Sequence, residues 1–133
     1  LAEFSQDIHS VLFATSSFWE GIDVPGESLS CLIIDRLPFP VPNHPLVVAR
    51  AEALKQSGKN PFFSEALPQA ILRLKQGFGR LIRTQTDRGV VAIFDRRILE
   101  RPYGRYFLEA LPSCPVVHTL EEAGDFLSRA LRS

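Results

Sequence analysis

The sequence predicts an α/β domain built around a largely parallel sheet, and three observations carry that prediction. Short apolar runs alternate with helical patterns along all 133 residues. Two of the runs, SCLIIDRL (30–37) and GVVAIFD (89–95), are continuous rather than alternating, as in strands covered on both faces. Hydrophobic residues make up 45% and charged residues 23%, a balance that supports one core and excludes a disordered chain.

Taken in order, VLFATSS (11–17) reads as a buried first strand ending in turn residues, and 30–37 as the second. LPFPVPNHP (37–45) holds four prolines in nine residues, so it is a stiff extended loop. A helical pattern runs from Leu46 to Gln56 and is ended by SGKN. The next helix accommodates Pro68 in its first turn and runs to about Arg83. Residues 89–95 form a third strand, 102–111 a helix after Pro102, and PVVHTL (115–120) a fourth strand. EEAGDFLSRALRS closes the chain as an amphipathic helix with Phe126, Leu127, Ala130 and Leu131 inward. No internal repeat and no second-domain boundary is visible, so residues 1–133 are expected to form one domain.

The totals narrow the setting. The chain begins with leucine and contains no methionine, so it is expected to be a piece of a larger protein. No apolar run approaches the ~20 residues of a membrane span, and no secretory signal leads the chain. Cys31 and Cys114 lack metal-ligand spacing; Cys31, inside an apolar run, is expected to be a buried thiol in a reducing, cytoplasmic compartment. His9, His44 and His118 are scattered without partners at ligand spacing, so no metal site is expected. The zero net charge hides a division: residues 1–35 hold six acids and no Lys or Arg, whereas 73–105 hold nine bases against three acids. Such asymmetry suits a polyanion partner, or else an ordinary solvated helix face.

Ligands of open α/β sheets gather beyond the carboxyl ends of the strands. That rule selects SFWEGIDVPG (17–26), the proline loop and Asp95–Arg97. Gln76, Arg80 and Arg83 follow one another at steps of four and three and so share one side of their helix, opposite Phe78 and Leu81. Two guanidinium groups and an amide on one face suit a phosphate chain, and glycines at 77 and 79 let a ligand or another backbone come close. The alternative is that the arginines pair with the acids of 1–35. Glu20 and Asp23 put two carboxylates on a tight loop, where they bind metal, position an arginine, accept ribose hydroxyls or simply cap the next helix. Phe18 and Trp19 pack beneath that loop or stack on a base. The chain holds no G-x-x-x-x-G-K-[ST] phosphate cradle of its own.

Together these segments resemble a known family. Gln76-x-x-Gly79-Arg80-x-x-Arg83 is similar to motif VI of superfamily 2 helicases, and Ser17 to Gly26 to motif V. The WEGIDVPG form, then LIIDRLPFPVPNHP, then QGFGRLIRTQTDRGVVAIFDRR, resembles the DinG branch, which is related to the iron–sulfur helicases of nucleotide excision repair. The resemblance covers roughly residues 11–112. It implies the second RecA-like motor domain of a DNA-stimulated ATPase, lacking at its amino end the strand that carries motif IV. In such enzymes ATP and Mg²⁺ lie between two RecA-like domains, the first supplying the phosphate loop and the metal-binding acids. By position, the resemblance makes Arg80 and Arg83 arginine-finger candidates with Gln76 beside them. It sets Gly21, Asp23, Glu20 and Gly79 near the nucleotide, Glu20 orienting a motif VI arginine. Single-stranded DNA falls to Thr15, Ser17 and the proline loop, with Arg96 and Arg97 either on DNA or in the ATP cleft. Any iron–sulfur cluster, or a fused exonuclease, belongs to the parent protein and not to this chain, which by itself is expected to be inactive.

Overall fold

The computed structural model describes residues 2–15, 29–82 and 87–130. After a short helix α1 (Ala2–Gln6), the chain passes through 7–15 without regular structure and enters strand β1 (Cys31–Ile34). Helix α2 (Pro45–Gln56) and helix α3 (Leu67–Leu81) separate it from strand β2 (Val90–Ile93). Helices α4 (Arg97–Glu100), α5 (Gly104–Ala110) and α6 (Leu120–Ala130) follow.

β1 and β2 pair in parallel, with Cys31 opposite Val90 and Ile34 opposite Ile93. Parallel neighbours need a long crossover, and the two helices between them supply it. Helices around a small parallel sheet are compatible with the α/β class. The core forms where Ile34, Leu37, Leu67, Ala70, Leu74, Ile98 and Phe107 meet. Phe39 bridges it to an aromatic cluster, with its ring centroid 5.7 Å from those of Phe62, Tyr103 and Phe107. Edge-on and offset ring pairs of this kind add to the area they bury.

Local chemistry explains the start of the helical turn that leads into α3. The Asn60 side chain accepts the amide protons of Phe62 (2.9 Å) and Phe63 (3.4 Å), acting as an N-cap, and Pro61 follows in the first helical position. A single π turn (Phe62–Ala66) then leads into α3. Pro68 has no N–H to donate back along the helix, and the π turn lies where the regular ladder would meet that gap.

Several sequence expectations are corrected. Residues 11–15 are not a strand: Val11 is 78% and Phe13 92% exposed, and among the described residues no neighbouring strand pairs with them. Likewise 115–119 carry no strand, and Leu120 already begins α6. An apolar run becomes a strand only when an edge is there to accept its hydrogen bonds. β1 is covered on one face, that of Ile34, while Cys31 and Ile33 are exposed. The expectation of a buried Cys31 thiol is therefore wrong, although partial burial does push its pKa up. The helix expected over 102–111 begins at Gly104, and a separate one-turn α4 precedes it. Among the described residues no helix is long and apolar enough to cross a membrane.

Candidate functional site

α3 divides cleanly into two sides. Leu67, Ala70, Leu74, Gly77, Phe78 and Leu81 are buried. Gln76 and Gly79 are exposed and Arg80 is half-buried on the other side, as their spacing predicts. The two glycines differ in kind. Gly77 belongs to the packed face, whereas a Cβ built on Gly79 would meet nothing within 4 Å. Gly79 thus leaves open ground beside Gln76 and Arg80.

The end of α3 is held against the amino ends of both strands. Ile82 leaves the helix in an extended conformation while its N–H still reaches the Phe78 carbonyl at 3.1 Å. A Cβ on Gly89 would lie 2.8 Å from both Leu81 Cδ1 and the Ser30 carbonyl oxygen, so only glycine fits this approach. The Val90 N–H donates to the Ser30 carbonyl at 3.0 Å, locking the two lead-in segments together. Glu20, Gly21, Asp23, Ser17 and Arg83 themselves lie outside the described residues, as do Phe18 and Trp19.

A second cluster sits beyond the carboxyl ends of the strands. Asp95 is 9% exposed and accepts four hydrogen-bond donors. These are the Leu37 N–H (2.8 Å), the Arg97 N–H (3.1 Å), and Nε (2.9 Å) and Nη2 (2.6 Å) of Arg97. The Arg97 guanidinium, aided by these backbone amides, outweighs burial and holds the carboxyl pKa down at about 2. Asp95 in turn raises the pKa of Arg97, whose guanidinium also lies 5.4 Å from the centroid of the Phe39 ring. Arg97 is therefore a brace between β2 and the proline loop. Arg96 points outward, 84% exposed, and pairs with Glu100 at 2.8 Å. With Asp35, Arg36 and Phe94 these residues line an open cleft of about 380 Å³.

The two clusters lie at opposite ends of β2. Leu81, at the end of α3, packs against Gly89 at the amino end of the strand, whereas Arg96 follows its carboxyl end. Arg96 and Arg97 therefore lie at the other end of β2 from the last turn of α3. Thr15 is exposed on the irregular stretch 11–15. Sequence reasoning did not single out Arg36, Phe94 or the bracing role of Asp95. Their position directly after a strand was the available signal. Among the described residues no three His, Cys, Asp or Glu side chains converge in a way that would hold a metal.

Against known proteins, residues 1–114 match the profile of the family described as the helicase C-terminal domain. The chain is 50% identical over 127 residues to the ATP-dependent DNA helicase YoaA of Haemophilus influenzae, covering 96% of this chain and 20% of that protein. It is 48% identical over 128 residues to YoaA of Escherichia coli, with the same coverage of 96% and 20%. It is 47% identical over 113 residues to the 3'-5' exonuclease DinG of Bacillus subtilis, covering 85% of this chain and 12% of that protein. The chain thus spans a fifth or less of the length of these curated relatives.

Proposed function

The chain belongs to the helicase C-terminal domain family and is similar to DinG and YoaA helicases; from that premise we propose that it is the second RecA-like motor domain of an ATP-dependent DNA helicase or translocase. The observation that carries the reading is the outer side of α3, where Gln76, the open ground at Gly79 and Arg80 lie together, away from the packed face. In this reading the γ-phosphate of ATP, bound by the first motor domain of the same polypeptide, meets Arg80 and Arg83 when the two domains close. Charge spreads over the phosphoryl oxygens in the transition state, and a correctly placed guanidinium is typically worth ~10³–10⁵ in rate. Because the arginines arrive only on closure, hydrolysis is coupled to domain movement and hence to travel along single-stranded DNA. Gln76 orients the attacking water or a neighbouring arginine. Glu20, Gly21 and Asp23 complete the nucleotide side from the acidic loop. The acids that bind Mg²⁺ are assigned to the first motor domain, and the roles argued for this chain involve none. The name of the Bacillus subtilis relative favours one variant, in which the same motor half is joined to an exonuclease and ATP drives a process other than unwinding.

The test is single-stranded-DNA-stimulated ATP hydrolysis by the full-length polypeptide, with Arg80→Ala and Arg83→Ala separately. A fall of roughly a hundredfold or more in turnover, with ATP and DNA still bound, identifies the finger. Wild-type turnover in both variants would instead make this domain a RecA-like interaction module whose arginines are structural.

A further inference from the structure

Where the π turn, the first half of α3 and α5 meet, the fold leaves an open groove of about 460 Å³ that the chemistry above does not use. Leu67 and Ile71 line it and also belong to the core or pack against it. Phe63 and Leu72 line it too, each 56% exposed, with Tyr106 at 38%. Contiguous apolar surface of this kind marks an interaction site, whereas single exposed apolar residues do not. Phe63 is set there by the π turn, an irregularity that recurs at functional positions. The rim is cationic. Lys75 lines it from α3. Arg105 donates from Nη2 to the Tyr106 hydroxyl at 3.0 Å, its guanidinium 4.9 Å from the centroid of that ring. Glu109, on the same helix, is close enough to act on Arg105.

α6 has the complementary character. Leu120, Ala123, Phe126 and Leu127 recur at three- and four-residue steps and form an apolar stripe. Glu121, Glu122 and Asp125 make the rest of the helix acidic, against the single base Arg129. No residue of α6 is buried: Leu120 is 79% exposed, and Ala123, Phe126 and Leu127 are half-buried. Amphipathic helices dock by laying such a stripe into an apolar groove. We propose that the groove receives α6 of a second copy of this polypeptide. The apolar stripe seats on Phe63, Ile71, Leu72 and Tyr106, and the acids face Lys75 and Arg105. A second copy is the occupant that the charges select, because the cationic groove and the acidic helix are carried by the same chain. The exchange is reciprocal about a two-fold axis, each copy giving its helix and receiving the other, which doubles the buried surface. Residues 111–119, without helix or strand, join α5 to α6 and span up to about 30 Å when extended, enough to reach a neighbour. The proposal goes beyond the motor reading and does not depend on it.

The experiment is sedimentation velocity of the full-length polypeptide over a concentration series, with hydrogen–deuterium exchange of 120–130 on the same samples. The wild type is expected to dimerise as concentration rises, and protection of α6 to rise with it. Leu72→Glu in the groove and Leu120→Glu on the helix each place a charge at an exposed position, so the fold is kept. Each is expected to raise the dimer dissociation constant at least ~10-fold. Lys75→Glu should act in the same direction by about 2- to 5-fold, and it keeps the groove testable if Leu72→Glu fails to fold. An equimolar mixture of Leu72→Glu and Leu120→Glu chains should recover dimer. In the mixed pair both lesions share one contact, and the other joins an intact helix to an intact groove. A wild type that stays monomeric throughout the series overturns the proposal. So does a dimer indifferent to the groove and helix substitutions, or a mixture no more dimeric than its parts. Protection of α6 that is independent of concentration yet lost in Leu72→Glu would seat the helix in the groove of its own chain and overturn the second copy as occupant.

Discussion

Replacing Asp95 with alanine should loosen the proline loop without touching α2. The carboxylate is the partner of the buried Leu37 amide at 2.8 Å, and Leu37 is 4% exposed, so water is a poor substitute. Orphaning a buried donor costs about 1–3 kcal/mol. The bonds to Arg97 contribute less than their short distances suggest, because that side chain is 43% exposed, and about 1 kcal/mol is a fair share after screening. A combined loss of roughly 2–4 kcal/mol corresponds to about 30-fold or more in the opening equilibrium. Hydrogen–deuterium exchange of the full-length polypeptide reads this directly on peptides spanning 37–44. Unchanged protection there refutes the bracing role, and so does an equal loss across α2, which would mean global destabilisation. Asp95→Asn keeps one acceptor for Leu37 and should lose less. It also isolates the pH dependence. The folded carboxyl titrates at about 2, below its ordinary 3.8, so its contribution is fully present above about pH 4 and is lost as pH falls through 2. That gap sets a ceiling of ~2.4 kcal/mol, discounted towards ~1–2 by the exposure of Arg97. The stability difference between wild type and Asp95→Asn should therefore be constant near neutrality and shrink only in strong acid.

Other substitutions probe the frame and the face of α3. Gly104→Ala would drive a Cβ into the Ile98 carbonyl, so it should push α4 and α5 apart and lower the urea midpoint by the equivalent of about 1–3 kcal/mol or more, on the order seen for overpacking. Gly79→Ala meets nothing within 4 Å and should raise helix stability by about 0.5–1 kcal/mol; a fall in DNA-stimulated ATP turnover at unchanged or raised melting temperature would place a ligand or partner backbone at that spot. Thr119 Oγ1 accepts the Glu122 N–H at 3.2 Å while the Glu122 carboxylate accepts the Thr119 hydroxyl at 2.9 Å. Thr119→Ala should remove about 1 kcal/mol from α6, visible as faster exchange over 120–130.

Elements whose signal is local were readable from residue order alone. The three- and four-residue apolar steps of α3 report its packed face, and the same steps give the shared side of Gln76 and Arg80, because a helix closes its backbone bonds within itself. The prolines of 37–45 exclude a helix there for an equally local reason. The residue types at Gln76, Gly79 and Arg80 and their offsets were legible, and they carry the resemblance to the family in which the comparisons place the chain. Whatever depends on a distant partner was settled only in three dimensions. Residues 11–15 and 115–119 have strand-like composition, yet they remain irregular, since strand formation requires an edge that composition cannot supply. The split between Gly77 and Gly79 depends on which side of α3 meets the core. Asp95 reads in sequence as one more loop acid; only the fold brings the Leu37 amide, 58 residues away, onto its carboxylate. The separation of the last turn of α3 from Arg96 along β2 is likewise a property of chain direction in space, which no spacing in the sequence records.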